Sequence, residues 1–464
     1  MPKRVLVRSL VLSALLAAAA TALGLFGSGD SSAQPAEDAG APGAPPVTAL
    51  VGGRLIDGFG GPPLEDSVVL IEGETIAAVG REGEVAIPEG AEVVSTEGMT
   101  VLPGLWDAHV HLMLVGHSDY AYWDATYPPL FRDTIMPAAA EQLLLAGVTS
   151  ARDLGAGLED SIAVRDAIAA GEIPGPTLYV SGPFVQHEPY PGTEAFRWGV
   201  SGADDARAKV RRLAEAGVDL VKLVDQDQMT MEEVRAVVDE AHGHGLPVVA
   251  HSHRPEEIRR GIEAGVDCFE HTGLGTSPEY PDDVFALMKS RANTLYWTPT
   301  ISPLLLYGYT RDEFSERLDD PRWQRGLPPS VVEDVRRSLR HWDRLDYYRG
   351  VPGRRPTLAR KFQQLRESGV VLLVGTDSGV PGVFHSDSTW RELDTWVDTF
   401  GVPPMDAIRA ATYWPAVQMG VIERVGTVSP GKRADVIAVR GDLLQHIDLL
   451  ADVDLVIKGG VRYK

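Results

Sequence analysis

The chain has 464 residues, 44% hydrophobic and 23% charged, with a formal net charge of −22 at pH 7. This is ordinary globular composition, which excludes a disordered or fibrous chain, and the length is ample for a large buried core and more than one structural unit. The acidity excludes nucleic acid as a partner, since phosphate binding needs clustered Lys and Arg, and no polybasic run is present to grip an anionic membrane.

The first segment reads as a targeting signal. A basic start, "MPKRVLVRS", leads into the apolar run "LVLSALLAAAATALGLFG" and then small residues that suit cleavage after Ala33. That three-part pattern predicts a signal peptide over 1–33 and export to the periplasm or medium. The alternative is an uncleaved segment that anchors the chain in the membrane; after processing no stable anchor is expected. Residues 34–46, "QPAEDAGAPGAPP", form a linker. Cys268 is the single cysteine, so no intrachain disulfide staples the exported chain.

From 47 to 102, short apolar strands alternate with Gly- and Pro-rich turns, and the same texture returns over 421–464. One small β domain built from both chain ends is the economical reading. Residues 103–420 alternate strands with amphipathic helices. The strand candidates, in order, are "VLPGLWDAHVHL", "TSARDL", "TLYVSG", "DLVKLV", "PVVAHS", "CFEHT", "LYWTPT" and "VVLLVGTDS". Eight such units predict an α/β fold, a (β/α)₈ TIM barrel. The segment 301–355, rich in Tyr, Arg, Asp and Pro, reads as a partly helical lid inserted between strands seven and eight.

Chemistry in such a barrel sits at the C-terminal ends of the strands. Those ends carry His109 and His111, Lys222, His251, His271 and Asp377. Residues i and i+2 of a strand share a face, so His109 and His111 point the same way. Imidazole is a common zinc ligand, although a lone H-x-H also occurs in ordinary cores. Lys222 shares a face with Leu220 and Val224; it either snorkels to water or loses its charge through modification to a carbamate. Asp377 is a metal ligand and proton carrier, or a helix cap.

Together these segments resemble the amidohydrolase superfamily. "LPGLWDAHVHL", "AGVTSARDLG", "GVDLVKLV", "VVAHSH", "AGVDCFEHTG", "GTDSG" and the tail "AIRAATYWPAVQMGVIERVGTVSPGKRADVIAV" are similar to its strand signatures over roughly 47–464. The resemblance implies a barrel with a β-sandwich made from both termini. It also implies two divalent metal ions, zinc by class. His109, His111 and Asp377 would hold the inner ion and His251 and His271 the outer one, with carboxylated Lys222 and a hydroxide between them. Asp377 would accept the hydroxide proton and pass it to the leaving amine. Deaminase members carry an acid three residues after the strand-five histidine; here that position is Arg254, which argues against deamination. The nearest resemblance is to the prolidase-like and imidazolonepropionase-like branch, which implies hydrolysis of an amide or peptide C–N bond in a dipeptide or N-acyl amino acid. A lactone or phosphoester substrate on the same centre and a non-catalytic binding protein are the rival readings. The expected partner is a small-molecule amide or peptide, and a homo-oligomer is allowed.

Further residues are weighed on their position alone. His187, after strand three, is a candidate substrate contact. Tyr127 is another, within a group of His117, Tyr120, Tyr122 and Trp123 that forms either an aromatic wall or loop packing. His253 lines the mouth or caps a helix. Arg152 reads as structural and Cys268 as an inert buried thiol.

Overall fold

The computed structural model describes residues 46–464, apart from 274, 309, 311–313 and 342–348. The expected signal peptide and the expected linker up to residue 45 lie outside the described residues, as does part of the expected lid. Among the described residues no helix is long and apolar enough to cross a membrane.

Gly104 divides the first apolar run in two. Met99–Pro103 pairs antiparallel with Val436–Arg440, whereas Leu105–Val110 pairs parallel with Val148–Asp153. The sequence suggested one strand here; the chain instead turns from one layer into the other. A side chain at 104 would place its Cβ 2.2 Å from Thr149 Oγ1, so the crossing point needs glycine.

The β domain is one eight-stranded sheet drawn from both ends of the chain. Its strands run, across the sheet, Val461–Arg462, Leu455–Lys458, Val436–Arg440, Met99–Pro103, Val47–Leu55, Leu64–Glu72 and Thr75–Arg81, with Glu92–Ser95 also paired to Val47–Leu55. The sheet curls on itself: the edge strand at Ile76 exchanges backbone hydrogen bonds with Gly431 and Lys432, just before Val436–Arg440 begins. Leu50, Val69, Ile71 and Ile76 thereby share one apolar core with Val436, Ala438, Leu455 and Ile457.

The barrel strands are Leu105–Val110, Val148–Asp153, Thr177–Val180, Val221–Leu223, Val248–His251, Cys268–Glu270, Tyr296–Thr298 and Val371–Leu372. Strands one to three form one parallel ladder and strands four to eight another. Backbone hydrogen bonds join the two ladders at both seams. Asp219 N–H donates to Val180 O (2.9 Å) between strands three and four, and Ala108 N–H donates to Val374 O (2.9 Å) between strands eight and one. The same junction is used twice: helices Ala203–Ala216 and Pro255–Ala264 end at Gly217 and Gly265, both left-handed, and enter the next strand through Asp219 and Asp267. Each aspartate accepts a backbone N–H of the preceding strand, from Val180 and Val248.

The barrel interior is layered. Trp106, Ala108, Tyr179, Leu220, Val249, Cys268 and Leu373 fill the lower part as one buried cluster. Two residues further along their strands come Lys222, His251 and Glu270, so the period of two sets polar groups directly above an apolar floor. Strand one needs a correction to this rule. An extra residue between Asp107 and Val110 shifts its register against strand two, and this bulge lets Ala108 join the floor while His109 and His111 join the polar layer.

The described part of the 301–355 insertion is partly helical, with Ser302–Gly308, Pro321–Gln324, Pro329–Leu339 and Val351–Arg354. Val331, Val335 and Leu339 are buried in the main core cluster, and Ser338 is bonded to Ser118 in the loop after strand one.

Candidate metal centre

The polar layer brings together every strand-end residue singled out in the sequence except Lys222 by direct contact. His109 Nε2 lies 3.3 Å from His111 Nε2, and Asp377 Oδ1 lies 3.4 Å and 3.1 Å from these two atoms. His271 Nε2 is 3.0 Å from His251 Nδ1, and Asp377 Oδ2 is 3.9 Å from His271 Nδ1. The Asp377 carboxylate therefore faces both histidine pairs.

Three groups hold these side chains in place. The Asp107 carboxylate accepts from the backbone N–H of His109 and of Thr376 and from the hydroxyls of Thr376 and Thr389, tying strand one to strand eight. Glu270 Oε2 accepts from His109 Nδ1 at 2.8 Å. Arg152 in turn donates to Glu270 Oε1 at 2.8 Å and to Thr298 at 3.0 Å, with both charged groups fully buried. Arg152 is thus structural, as its sequence position suggested. His271 and Asp377 both sit at positive φ, 76° and 55°. A non-glycine residue held there is strained and persists only where the surroundings impose it.

Electrostatics favour a cation. Burial opposes ionisation of Glu270, but Arg152 and His109 hold its carboxyl down at about 2. Burial likewise opposes ionisation of Asp377, and His109 and His111 hold it at about 2. Burial, then Lys222, pushes His109 down to about 4, and burial drives His251 and His271 well below the usual range. With Glu270 ionised and able only to accept, His109 carries its proton on Nδ1. Its Nε2 lone pair then points at His111 Nε2 and Asp377 Oδ1. Neutral imidazoles and ionised carboxylates are the protonation states a divalent metal requires.

Lys222 is fully buried, and among the described residues its Nζ has no hydrogen-bond partner. Snorkelling to water is thereby ruled out. Burial lowers its ammonium to about 8, against the pull of Glu270 and Asp377. A bare buried amine between carboxylates and imidazoles is costly unless something else binds there. The donor set therefore fits a divalent cation, and the orphaned Nζ fits a lysine modified to a ligand.

The other candidates separate clearly. His253 stacks on His271 (ring centres 4.7 Å, planes 17° apart) and lies 4.6 Å from His251, so it belongs to this cluster. Its Nδ1 is buried without a partner. His187 is exposed and its charged neighbour is Glu233, with no described contact to the histidine cluster. Tyr127 is buried, its ring tilted against that of Trp123 with centres 4.3 Å apart, and its hydroxyl donates to Asp334 of the insertion, which is packing. Cys268 lies in the barrel floor beneath Glu270, where burial pushes its thiol up to about 12, an inert group. Glu270 escaped the sequence reading, yet it carried a usable signal: a charged residue on the same face as buried Cys268, the same anomaly that marked Lys222.

Glu270→Gln is expected to weaken metal retention by about 10- to 100-fold, the usual effect of losing a carboxylate that orients a ligating histidine. Competition with a chelator measures this. Unchanged retention would reduce the Glu270–His109 bond to core packing.

Fold and site together define a hydrolase of the (β/α)₈-barrel class, with its polar groups gathered at the strand ends. The chain belongs to the amidohydrolase family, whose sequence model matches residues 100–462. It is similar to ochratoxinase of Aspergillus niger, 26% identical over 468 aligned positions covering 90% of this chain and 87% of the relative. Imidazolonepropionase of Deinococcus radiodurans is 26% identical, with 82% and 86% covered. Among solved structures, a Xaa-Pro dipeptidase with bound methionine in its active site superimposes with a TM-score of 0.70 at 27% identity, covering 90% of this chain and all of that one.

Proposed function

We propose that this protein is an exported, metal-dependent amidohydrolase that cleaves the C–N bond of a small amide or peptide, in the class of dipeptides and N-acyl amino acids. One observation carries the reading: His109 Nε2, His111 Nε2 and Asp377 Oδ1 converge within 3.4 Å, with the partnerless Lys222 Nζ buried in the same layer. The names of the dipeptidase, ochratoxinase and imidazolonepropionase relatives support the substrate class. The basic and apolar start of the sequence supports export.

His109, His111 and Asp377 would hold one ion, and His251 and His271 a second, with Lys222 as a carbamate between them. Divalent ions held there, zinc by donor chemistry, supply Lewis acidity and lower the pKa of a water. The chain supplies the rest. Asp377 takes a proton from the attacking water at one carboxylate oxygen and delivers it to the departing amine nitrogen. Glu270 keeps the His109 proton on Nδ1, so Nε2 remains a donor of electrons. The bulge in strand one and the strained turns at His271 and Asp377 fix the geometry before substrate arrives.

The test is a screen of metal-loaded protein against dipeptides and N-acyl amino acids, run in parallel on chelator-treated protein. Turnover of an amide is expected, lost on chelation and recovered with added zinc. Amide turnover that survives complete metal removal would refute the reading, as would turnover confined to lactones or phosphoesters.

A further inference from the structure

Two guanidinium groups stand near the ends of barrel strands three to five, in opposite electrostatic states. Arg254 is neutralised. Its Nη2 donates to Asp225 Oδ1 and Asp227 Oδ1 at 2.7 Å and to Glu257 Oε1 at 2.9 Å, and its Nε donates to Asp227 Oδ2 at 2.5 Å. Those three carboxylates lie close enough together to suggest a cation site, but Arg254 already fills it.

Among the described residues Arg197 has no such partner. It begins the short strand Arg197–Gly199, which pairs with Phe184–Gln186, the continuation of barrel strand three. Its guanidinium carbon lies 4.7 Å from the Phe184 ring centre, 4.5 Å from that of Tyr190 and 5.7 Å from that of Phe196. Among the described residues the guanidinium makes one hydrogen bond, from Nη1 to the neutral Gln186 Oε1 at 3.0 Å. Nε is buried with no partner, and among the described residues no carboxylate lies within 4.0 Å of the group. The nearest acids by charge are Asp124 and Asp225, and Asp225 is committed to Arg254.

A guanidinium stays charged in any protein environment, so burying it among rings without a carboxylate is costly. Aromatic faces offset part of that cost. They also shield Nε from water, which strengthens any ion pair formed there. The Phe184 ring packs edge-on against His111, with ring centres 5.9 Å apart. One aromatic ring thus separates the free guanidinium from a candidate metal ligand.

We propose that Arg197 receives a carboxylate of the substrate and makes the enzyme selective for acid-bearing amides over neutral ones. The inference rests on the amide-hydrolase reading for its chemistry, but the subsite itself is defined by Arg197, Phe184, Tyr190 and Gln186. The guanidinium fork offers parallel N–H donors to a carboxylate, a geometry that Lys reproduces only in part.

Two measurements test this. The first compares kcat/KM for N-acetyl-L-leucine and N-acetyl-L-phenylalanine with that for their primary carboxamides, in wild type, Arg197→Met and Arg197→Lys. The acid-over-amide ratio is expected to fall by about 10- to 100-fold in Arg197→Met, the size of a lost charged hydrogen bond, and to recover partly in Arg197→Lys. The second measures binding of isovalerate and isovaleramide by calorimetry, which needs no turnover, with metal content and melting temperature checked for each variant. Isovalerate is expected to bind more tightly than isovaleramide only when residue 197 is cationic. Equal selectivity in wild type and Arg197→Met, or no acid preference in the wild type, overturns the proposal. Arg197-dependent acid binding without cleavage of any N-acyl amino acid or dipeptide leaves the subsite standing and refutes the amide-hydrolase reading instead.

Discussion

Asp377→Asn is expected to lower kcat by about 10²- to 10⁴-fold, the range for losing a positioned proton carrier. The substitution preserves shape and changes chemistry. One carboxylate oxygen faces His109 and His111 and the other faces His271. An amide there loses negative charge and turns a donor toward imidazoles whose lone pairs need a cation. Metal analysis of the same variant separates two effects. Retained metal with collapsed kcat assigns Asp377 the proton; lost metal assigns it mainly to ligation. Wild-type kcat in Asp377→Asn would remove Asp377 from both roles and with it the proposed mechanism.

Lys222→Met has the second large effect, and it reads out in metal rather than rate. Methionine keeps an unbranched chain of comparable length in the buried position and removes the nitrogen. If Lys222 bridges two ions as a carbamate, metal content is expected to fall from about two per chain toward one, with activity falling in step. Mass spectrometry of the intact wild-type protein, kept at neutral pH in bicarbonate, is expected to show the added carboxyl group. Unchanged two-metal content in the variant would refute the bridge. The barrel floor beneath Lys222 is apolar and includes Leu220, so the variant is expected to remain folded.

The strain at the site follows from what the site must do. His271 directly follows Glu270, the last residue of its strand, and Asp377 follows the apolar run of strand eight; both leave regular geometry at positive φ. In an extended strand, successive side chains alternate faces. Glu270 and His271 could not both face the barrel axis unless the chain turned sharply between them. The left-handed turn puts the carboxylate under His109 and the imidazole beside His251. Gly375 serves the same end at strand eight, where a Cβ would lie 2.8 Å from the His109 backbone nitrogen.

Much of the molecule was legible in local pattern. The β texture at both ends, the eight apolar segments and the repeated helix–Gly–Asp junction are short-range features, and the fold uses each of them. The spacing of two that relates Leu220 to Lys222 is set by backbone pleat alone, whereas His109 and His111 reach the same layer through the bulge in strand one. What the pattern left open was decided by contacts between residues far apart in sequence. Glu270 meets His109 across 161 positions and Arg152 across 118. His253 and His187 were equally plausible by position, but only the packing of strands five and six brings His253 to His271. Arg254 has one local partner, Glu257 at i+3, but Asp225 and Asp227 reach it from nearly thirty positions away, whereas only rings and an amide meet Arg197. The sequence by itself determined the barrel, the β domain and the inventory of polar strand ends, because hydrophobic periodicity and pleat act over a few residues. Which of those groups meet, which are left without partners, and therefore where a cation and an anion are wanted, was decided only by tertiary structure, because burial and charge pairing are properties of neighbours in space.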